Sequence, residues 1–335
     1  MVKVGIGSSD QTTTTTSQSS SKQRRGRLRP LFLVGFLALA AWNMTRQQQQ
    51  SSYYSTAMMM TTPREMIPLQ ATDYIYSTIG WDSAPIVVES HELIFFTVPK
   101  VGCTVWKQLF RRMEGYNDWQ VHTLDEANLP HNPKRNGLKY LFDYSLSDAT
   151  SKLNDPSYTK AIFVRDPKDR FLSAYLDKGV RNPDWTRKKC CPTNNNRSKE
   201  SDDCWPESNR SFQDFFELTK ACHNQHWDPM AARLDPKFLS LIDFIGTMDQ
   251  LQEDSKRLLQ QIGAWAEFGS SGWGTDGTEP IFQSKSSVKH ATSNSAAQAW
   301  KRLNKYYTPE LERAVEERFS QDYHLYGIPR RAIEF

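Results

Sequence analysis

Two short apolar runs, each followed by a turn and a helical pattern, constrain the fold of this chain most strongly. Glu92–Val98 is a short, mostly apolar run rich in aromatic and β-branched residues, typical of a strand that is buried on both faces. Ala161–Val164 has the same character. Because repeated strand–loop–helix units favour parallel strands covered by helices, we predict one α/β domain with three layers and a mainly parallel central sheet. In such a sheet, ligands bind at the carboxyl ends of the strands.

The turn after the first run has the composition of an anion-binding loop. Pro99–Thr104 contains Lys100 and Gly102, and the next residues are apolar at helical spacing. A glycine turn before a helix directs backbone N–H groups at one point, where the helix N-terminus adds positive potential. The unit therefore suits a phosphate, although an ordinary turn with a solvated lysine is the alternative. The pattern G-x-x-x-x-G-K-S/T is absent, which disfavours a nucleotide-triphosphate P-loop.

The second run leads into a second group of anion-binding residues. Arg165 ends the predicted strand, and Asp166 with the following proline is a good start for a helix. Arg170 and Ser173 are three residues apart and so share a helix face. Two arginines and a hydroxyl at one strand end predict a second anion pocket. The alternative is a surface pair of Asp166 with Arg170 on a packed helix.

Both motifs resemble those of a known family. Pro99–Lys107 resembles the 5′-phosphosulfate loop of Golgi carbohydrate sulfotransferases, and Phe163–Tyr175 resembles their 3′-phosphate motif. Within these enzymes the chain resembles the chondroitin/dermatan 4-O-sulfotransferase-like family, over about residues 90–328 and with further segments in the same order, such as His226–Pro229. It departs from that family at Met230, where glutamine is common, and in a long insert at about 181–210.

The resemblance implies a sulfotransferase fold with a P-loop-like phosphosulfate-binding turn and 3′-phosphoadenosine 5′-phosphosulfate (PAPS) as the donor. It implies no requirement for a metal. Lys100 would neutralise charge on the bridging oxygen, while Arg165 and Ser173 would hold the 3′-phosphate, with Arg170 assisting or only bracing the loop. The Thr104 hydroxyl would assist the backbone amides that hold the phosphosulfate: Val101, Gly102, Cys103, Thr104, Val105 and Trp106.

The acceptor, a glycan or glycoprotein, would need a base to remove its hydroxyl proton, and histidine is the usual choice. We rank His122 first, because it lies between the two phosphate motifs and the family has a histidine in a comparable region. His226 ranks second, since its segment is expected to line the acceptor cleft. A structural role is the alternative for each.

The N-terminal region predicts a membrane anchor. Four arginines ending at Arg29 precede the apolar run Leu31–Trp42, so the positive-inside rule places the N-terminus in the cytosol. We predict a cytosolic tail at 1–30, a signal anchor at 31–44, a stem at 45–85 and a lumenal domain at 86–335, in a single-pass type II protein of the Golgi membrane. A cleaved signal peptide is the alternative.

Four cysteines lie between positions 190 and 222, near the sequons at Asn196 and Asn209. In an oxidising lumen they would form disulfides, whose pairing the sequence leaves open. A zinc site using Cys222 and His226 is the alternative. Oligomeric state is also open.

The charge balance argues against nucleic-acid binding, and two alternatives to a transferase stay open. The first fifty residues contain seven Lys/Arg and one Asp, so the rest of the chain carries 35 basic and 37 acidic residues. This balance gives no indication of nucleic-acid binding. One rival is a catalytically silent glycan-binding or scaffolding relative, and the other is a Golgi glycan kinase, which the missing triphosphate loop disfavours.

Overall fold

The computed structural model describes residues 66–68, 85–123, 128–191, 204–233, 236–283 and 302–335. The predicted tail and anchor lie outside these ranges, as does nearly all of the predicted stem. Among the described residues, no helix combines the length and the apolar composition that crossing a bilayer requires.

Five strands form one mixed sheet in the order β3-β1-β2-β4-β5. β2, β4 and β5 are parallel neighbours, whereas β1 is antiparallel to both β2 and β3. Four of the five strands thus point the same way, but only two of the four pairings are parallel. The strand bounds are β1 Ile86–Val88, β2 Leu93–Phe96, β3 Lys139–Tyr140, β4 Thr159–Val164 and β5 Phe244–Thr247.

The prediction of a mainly parallel sheet is therefore right for its centre and wrong for one side. A single 3₁₀ turn, Glu89–His91, joins β1 to β2. That turn is far too short for the crossover that parallel neighbours require, so the two strands form a hairpin. Every residue of β2 is buried, as are five of the six residues of β4, which is the pattern of strands covered on both faces.

Eight α-helices are described around the sheet. Two of them, the first and the third, confirm the helices that the sequence predicts after the two apolar runs. A π-helical segment, Tyr175–Arg181, continues the third helix without a break. The helix bounds are α1 Cys103–Met113, α2 Leu146–Asn154, α3 Pro167–Ala174, α4 Pro183–Cys190, α5 Phe212–Ala221, α6 Leu251–Gln261, α7 Pro309–Arg318 and α8 Ser320–Leu325.

Aromatic packing fixes the start of α1 on the sheet. Trp106 is fully buried, with its ring centroid 4.8 Å from that of Phe95 on β2 and 4.6 Å from that of Phe163 on β4. Phe282 covers the same indole at 5.1 Å. Such packing has little freedom to shift, because protein interiors are close-packed. The loop between β2 and α1 is therefore held between two well-packed ends.

A buried lysine joins α3 to α7. Lys168 is fully buried, and its ammonium donates to Glu312 and Glu316, each over 2.7 Å. The face of α7 that carries Glu312 and Glu316 is thus partly an interior surface. The sequence does not indicate this ion pair, because nothing near a charged residue on a short helix points to a cation 144 positions away.

Two disulfides fix the C-terminal end of α4. Cys190 pairs with Cys222, just after α5, and Cys191 pairs with Cys204. The zinc alternative is wrong, since the Cys222 sulfur is already bonded to Cys190. Across the described ranges, no group of three or more His, Cys, Asp or Glu side chains is arranged to hold a metal ion.

Candidate active site

The loop between β2 and α1 has the backbone of a tight anion-binding turn. Gly102, the N-cap of α1, has φ +70° and ψ 15°, a left-handed conformation that glycine adopts without steric cost. Lys100 also has φ +70°, which costs free energy for a residue with a side chain. Strain of this kind concentrates at functional sites, so the turn is a strong candidate for one.

Hydrogen bonds narrow the set of amides that can bind an anion. The N–H of Val101 donates to Val98 O over 3.3 Å, and that of Trp106 donates to Gly102 O over 3.2 Å. These two amides are engaged within the backbone, and their role as donor ligands stays a prediction. Thr104 and Val105 lie in the first turn of α1, where amides have no partner inside the helix. The indole N–H of Trp106, close to Gly102, is buried without a partner among the described residues.

The arginines of the second motif hold the backbone of the first. Arg165 donates through Nη1 to Lys100 O over 2.9 Å, and Arg170 donates through Nε to Pro99 O over 3.1 Å. Adjacent carbonyls of the loop are thus turned toward the carboxyl end of β4. The two motifs form one unit, because β2 and β4 are parallel neighbours.

Arg170 braces the backbone around the loop. Its other two nitrogens donate to Asp228 O over 2.7 Å and to Gln225 O over 2.9 Å, and the residue is 1% exposed. These contacts favour a role in bracing the backbone, and the role of Arg170 beside a bound phosphate stays a prediction. Arg165 also pairs with Asp169 at 2.7 Å. Ser173 is half-buried on α3, and its role with Arg165 as a 3′-phosphate ligand stays a prediction.

The Lys100 side chain ends at a carboxylate that the sequence did not indicate. Its Nζ donates to Asp177 Oδ2 over 2.8 Å. Asp177 lies on the π-helical segment after α3, and single π-helical turns are frequent at functional sites. Burial lowers the pKa of Lys100, and the adjacent Asp177 carboxylate offsets part of that decrease.

A histidine outside the predicted set contacts the loop. His131 Nε2 lies 2.9 Å from the Thr104 hydroxyl, at the N-terminus of α1. His122 packs edge-on against His131, with ring centroids 5.9 Å apart. His122 is thus beside the loop, one ring further out than His131. His131 follows a proline in a polar stretch, and no local pattern distinguishes it from a loop histidine.

His226 lies on the other side, near Asp177. Its Nδ1 donates to Asn224 Oδ1 over 2.6 Å, so Nε2 is the proton-accepting nitrogen of the neutral ring. When it is protonated, His226 is close enough to Asp177 to help lower the pKa of that carboxyl. The Trp185 ring packs edge-on against it at 5.5 Å. Trp227, the next residue after His226, is fully buried and belongs to the core.

These features define the class of site: an anion-binding centre at the carboxyl ends of two parallel strands, with one lysine in the loop and histidines on either side. A sequence model of the Sulfotransferase family matches residues 84–329. The chain belongs to this family, and its resemblance to carbohydrate sulfotransferases is confirmed.

Curated relatives agree on that description. Carbohydrate sulfotransferase 11 of Mus musculus is 31% identical over 193 residues, which are 53% of this chain and 52% of that protein. Carbohydrate sulfotransferase 9 of Homo sapiens is 29% identical over 190 residues, 53% and 40% of the two chains. Carbohydrate sulfotransferase 10 of Danio rerio is 39% identical over 97 residues, 29% and 26%. The chain spans about half the length, or less, of the relatives it matches, and no solved structure matches it significantly.

Proposed function

We propose that this protein transfers a sulfuryl group from PAPS to a hydroxyl of a glycan. One observation carries the proposal: Arg165 and Arg170, at the end of β4, hold the carbonyls of a strained lysine-containing loop at the end of β2. That arrangement turns the carbonyls away and leaves the N-terminus of α1 for the donor's 5′-phosphosulfate. The names of the relatives support a carbohydrate acceptor.

The transfer is an in-line displacement at sulfur. The acceptor oxygen forms a bond to sulfur while the bond from sulfur to the bridging oxygen breaks, and 3′-phosphoadenosine 5′-phosphate leaves with the electron pair. Lys100 stabilises the charge that grows on the bridging oxygen, which is the usual contribution of a fixed cation in such a reaction. The first-turn amides of α1 and the Thr104 hydroxyl position the phosphosulfate.

A histidine takes the acceptor proton. Contact with Thr104 favours His131 for this role, because it places an imidazole at the phosphosulfate loop itself. His122 packs against the ring of His131, and His226 remains the candidate base on the Asp177 side. A base must lie within hydrogen-bond reach of the proton that it removes, so position ranks before pKa.

The cellular setting we propose is the Golgi membrane, with the catalytic domain in the lumen. Disulfides Cys190–Cys222 and Cys191–Cys204 support an oxidising compartment, since they are rare in the cytosol. The arginine-rich segment before the apolar run supports a type II orientation.

Calorimetric titration of the full chain tests the donor. We expect 3′-phosphoadenosine 5′-phosphate to bind, and ATP with Mg²⁺ to bind far more weakly. Transfer is then measured from radiolabelled PAPS to desulfated chondroitin and to a desialylated glycoprotein, with Lys100→Ala compared with exposed Lys188→Ala. Equal or stronger binding of ATP would favour a kinase. Donor binding without transfer to any glycan would favour the silent relative.

A further inference from the structure

The pair formed by Lys100 and Asp177 is the feature of the site that the family motifs leave unexplained. The two residues are 77 positions apart: Lys100 lies in the loop between β2 and α1, and Asp177 lies on the π-helical segment after α3. Their side chains are 16% and 21% exposed, so the pair lies at the edge of the site rather than on the open surface. A partly buried, hydrogen-bonded ion pair is screened less by solvent and salt than a surface pair.

The surroundings of the pair are strongly charged. Asp177 faces Lys178 at 3.4 Å and Arg181 at 3.8 Å as well as Lys100, and His226 is near enough to act on it electrostatically. Burial acts to raise the pKa of Asp177, but the Lys100 and Lys178 cations outweigh burial and hold the pKa well below its ordinary value. Asp177 is therefore ionised at neutral pH. Asp177, Lys178 and Cys103 act electrostatically on the Lys100 ammonium, and the Arg165 guanidinium contacts the backbone carbonyl of Lys100.

We propose that Asp177 is a positioning residue that holds the Lys100 ammonium at the bridging oxygen of the donor. This inference rests on the proposed function. Arg165 fixes the backbone of Lys100 through its carbonyl, but the lysine side chain has four rotatable bonds beyond the Cα. Asp177 fixes the other end of that side chain. The π-helical segment thus sets where the catalytic cation lies.

Asp177 acts through Lys100 and exchanges no proton with the substrates. Both Lys100 and Asp177 stay charged throughout, while the electron pair of the broken bond goes to the bridging oxygen and the acceptor proton goes to the histidine. The Asp177 carboxylate also repels the anionic donor, which weakens ground-state binding. Removing the carboxylate should therefore impair the placement of the Lys100 ammonium without weakening the binding of the donor.

Asp177→Asn separates these two effects. We expect binding of 3′-phosphoadenosine 5′-phosphate no weaker than in the wild type, because a repulsive charge is gone. We measure kcat with whichever of the two acceptors, desulfated chondroitin or the desialylated glycoprotein, the wild type sulfates. We expect it to fall by about tenfold to a hundredfold, since misplacing a catalytic group by about 1 Å costs this much. A merely structural role would weaken both. Asp184→Asn, at a carboxylate that is 74% exposed, is the matched control.

The pH profile gives a second readout. Asp177 raises the pKa of Lys100 above the value that burial alone would give. Without the carboxylate, Lys100 loses its proton at lower pH, so the alkaline limb of kcat moves to lower pH in Asp177→Asn. In Asp184→Asn it stays where the wild type has it. If the alkaline limb and kcat itself are both unchanged in Asp177→Asn, the inference is overturned.

A double variant shows whether Asp177 works through Lys100. If it does, Lys100→Ala/Asp177→Asn has the same residual kcat as Lys100→Ala, and an independent further loss overturns the inference. Should Asp177→Asn fail to fold, Asp177→Glu replaces it: the charge is kept, the limb stays in place, and kcat falls because the ammonium is displaced. Full kcat in Asp177→Glu counts against the inference. A wild type that binds no 3′-phosphoadenosine 5′-phosphate overturns the proposed function, and the inference with it.

Discussion

The Thr104 hydroxyl and Nε2 of His131 lie 2.9 Å apart, which connects a histidine to the N-terminus of the helix that would hold the donor. His131→Ala should lower kcat by about a hundredfold or more, because a general base contributes 10²–10⁴-fold. The measurement is single-turnover transfer from radiolabelled PAPS, with donor affinity determined in parallel. His122→Ala and His226→Ala are assayed beside it, and exposed His324→Ala is the control. A larger loss in His226→Ala than in His131→Ala would move the base to the Asp177 side.

Arg170 should behave as a structural brace of the donor loop. Arg170→Ala leaves the carbonyls of Pro99, Gln225 and Asp228 without their charged donor. Unpartnered buried groups cost about 1–3 kcal/mol each, so we expect the free energy of unfolding to fall by about 3 kcal/mol or more. Denaturant titration measures this change. Arg187→Ala, at an exposed arginine of α4, should change stability by less than about 0.5 kcal/mol. A stable Arg170→Ala protein that had lost only donor binding would return Arg170 to the phosphate ligands.

Asp166 gives stability a specific pH dependence. Its Oδ1 caps α3 by accepting from the N–H of Lys168, while Oδ2 is buried without a partner among the described residues. Burial raises the pKa of Asp166 to about 6 from its ordinary 3.8. The folded state therefore binds the proton more tightly than the unfolded state does, so stability falls as the pH rises from about 3.8 to about 6 and stays at the lower level above that. Asp166→Asn keeps an effective cap and should raise the free energy of unfolding at pH 7 by about 1–3 kcal/mol.

The gain in Asp166→Asn should disappear near pH 4, where the wild-type carboxyl is protonated in the folded state. Denaturant titrations at pH 4 and pH 7 measure this, with exposed Asp184→Asn as the control. A gain of equal size at both pH values would show that charge burial is not its cause.

Local pattern predicted much of the fold and about half of the site. Apolar runs and capping residues indicate β2, β4, α1 and α3, because buried strands and helix starts leave their mark within a few residues. The same reasoning finds Lys100 and the glycine turn, since a turn before a helix needs particular residue types. The pairing of the four cysteines could not be predicted, because their spacing does not determine which sulfurs form a disulfide.

Contacts between distant segments account for what was missed. Asp177 meets Lys100, His131 meets Thr104, and the two arginines meet backbone carbonyls of another motif. None of these pairings repeats at a helical or strand period, so none can be read from spacing. Arginine beside a phosphate motif suits a phosphate ligand, and its use as a backbone brace appears only when the two strands are placed side by side.

Gly246 on β5 connects the packing of the sheet to the donor loop. A methyl group on Gly246 would lie 2.4 Å from a ring carbon of Phe163, which packs in turn against Trp106 at the start of α1. Gly246→Ala should therefore lower the free energy of unfolding by about 1–3 kcal/mol through overpacking, and it should weaken binding of 3′-phosphoadenosine 5′-phosphate by shifting the indole. Thermal unfolding and calorimetric titration measure the two effects. Adding Phe163→Leu makes room for the methyl group, so the double variant should lose less stability than the two single changes together. Strictly additive losses would show that the Phe163 ring is not what the methyl group displaces.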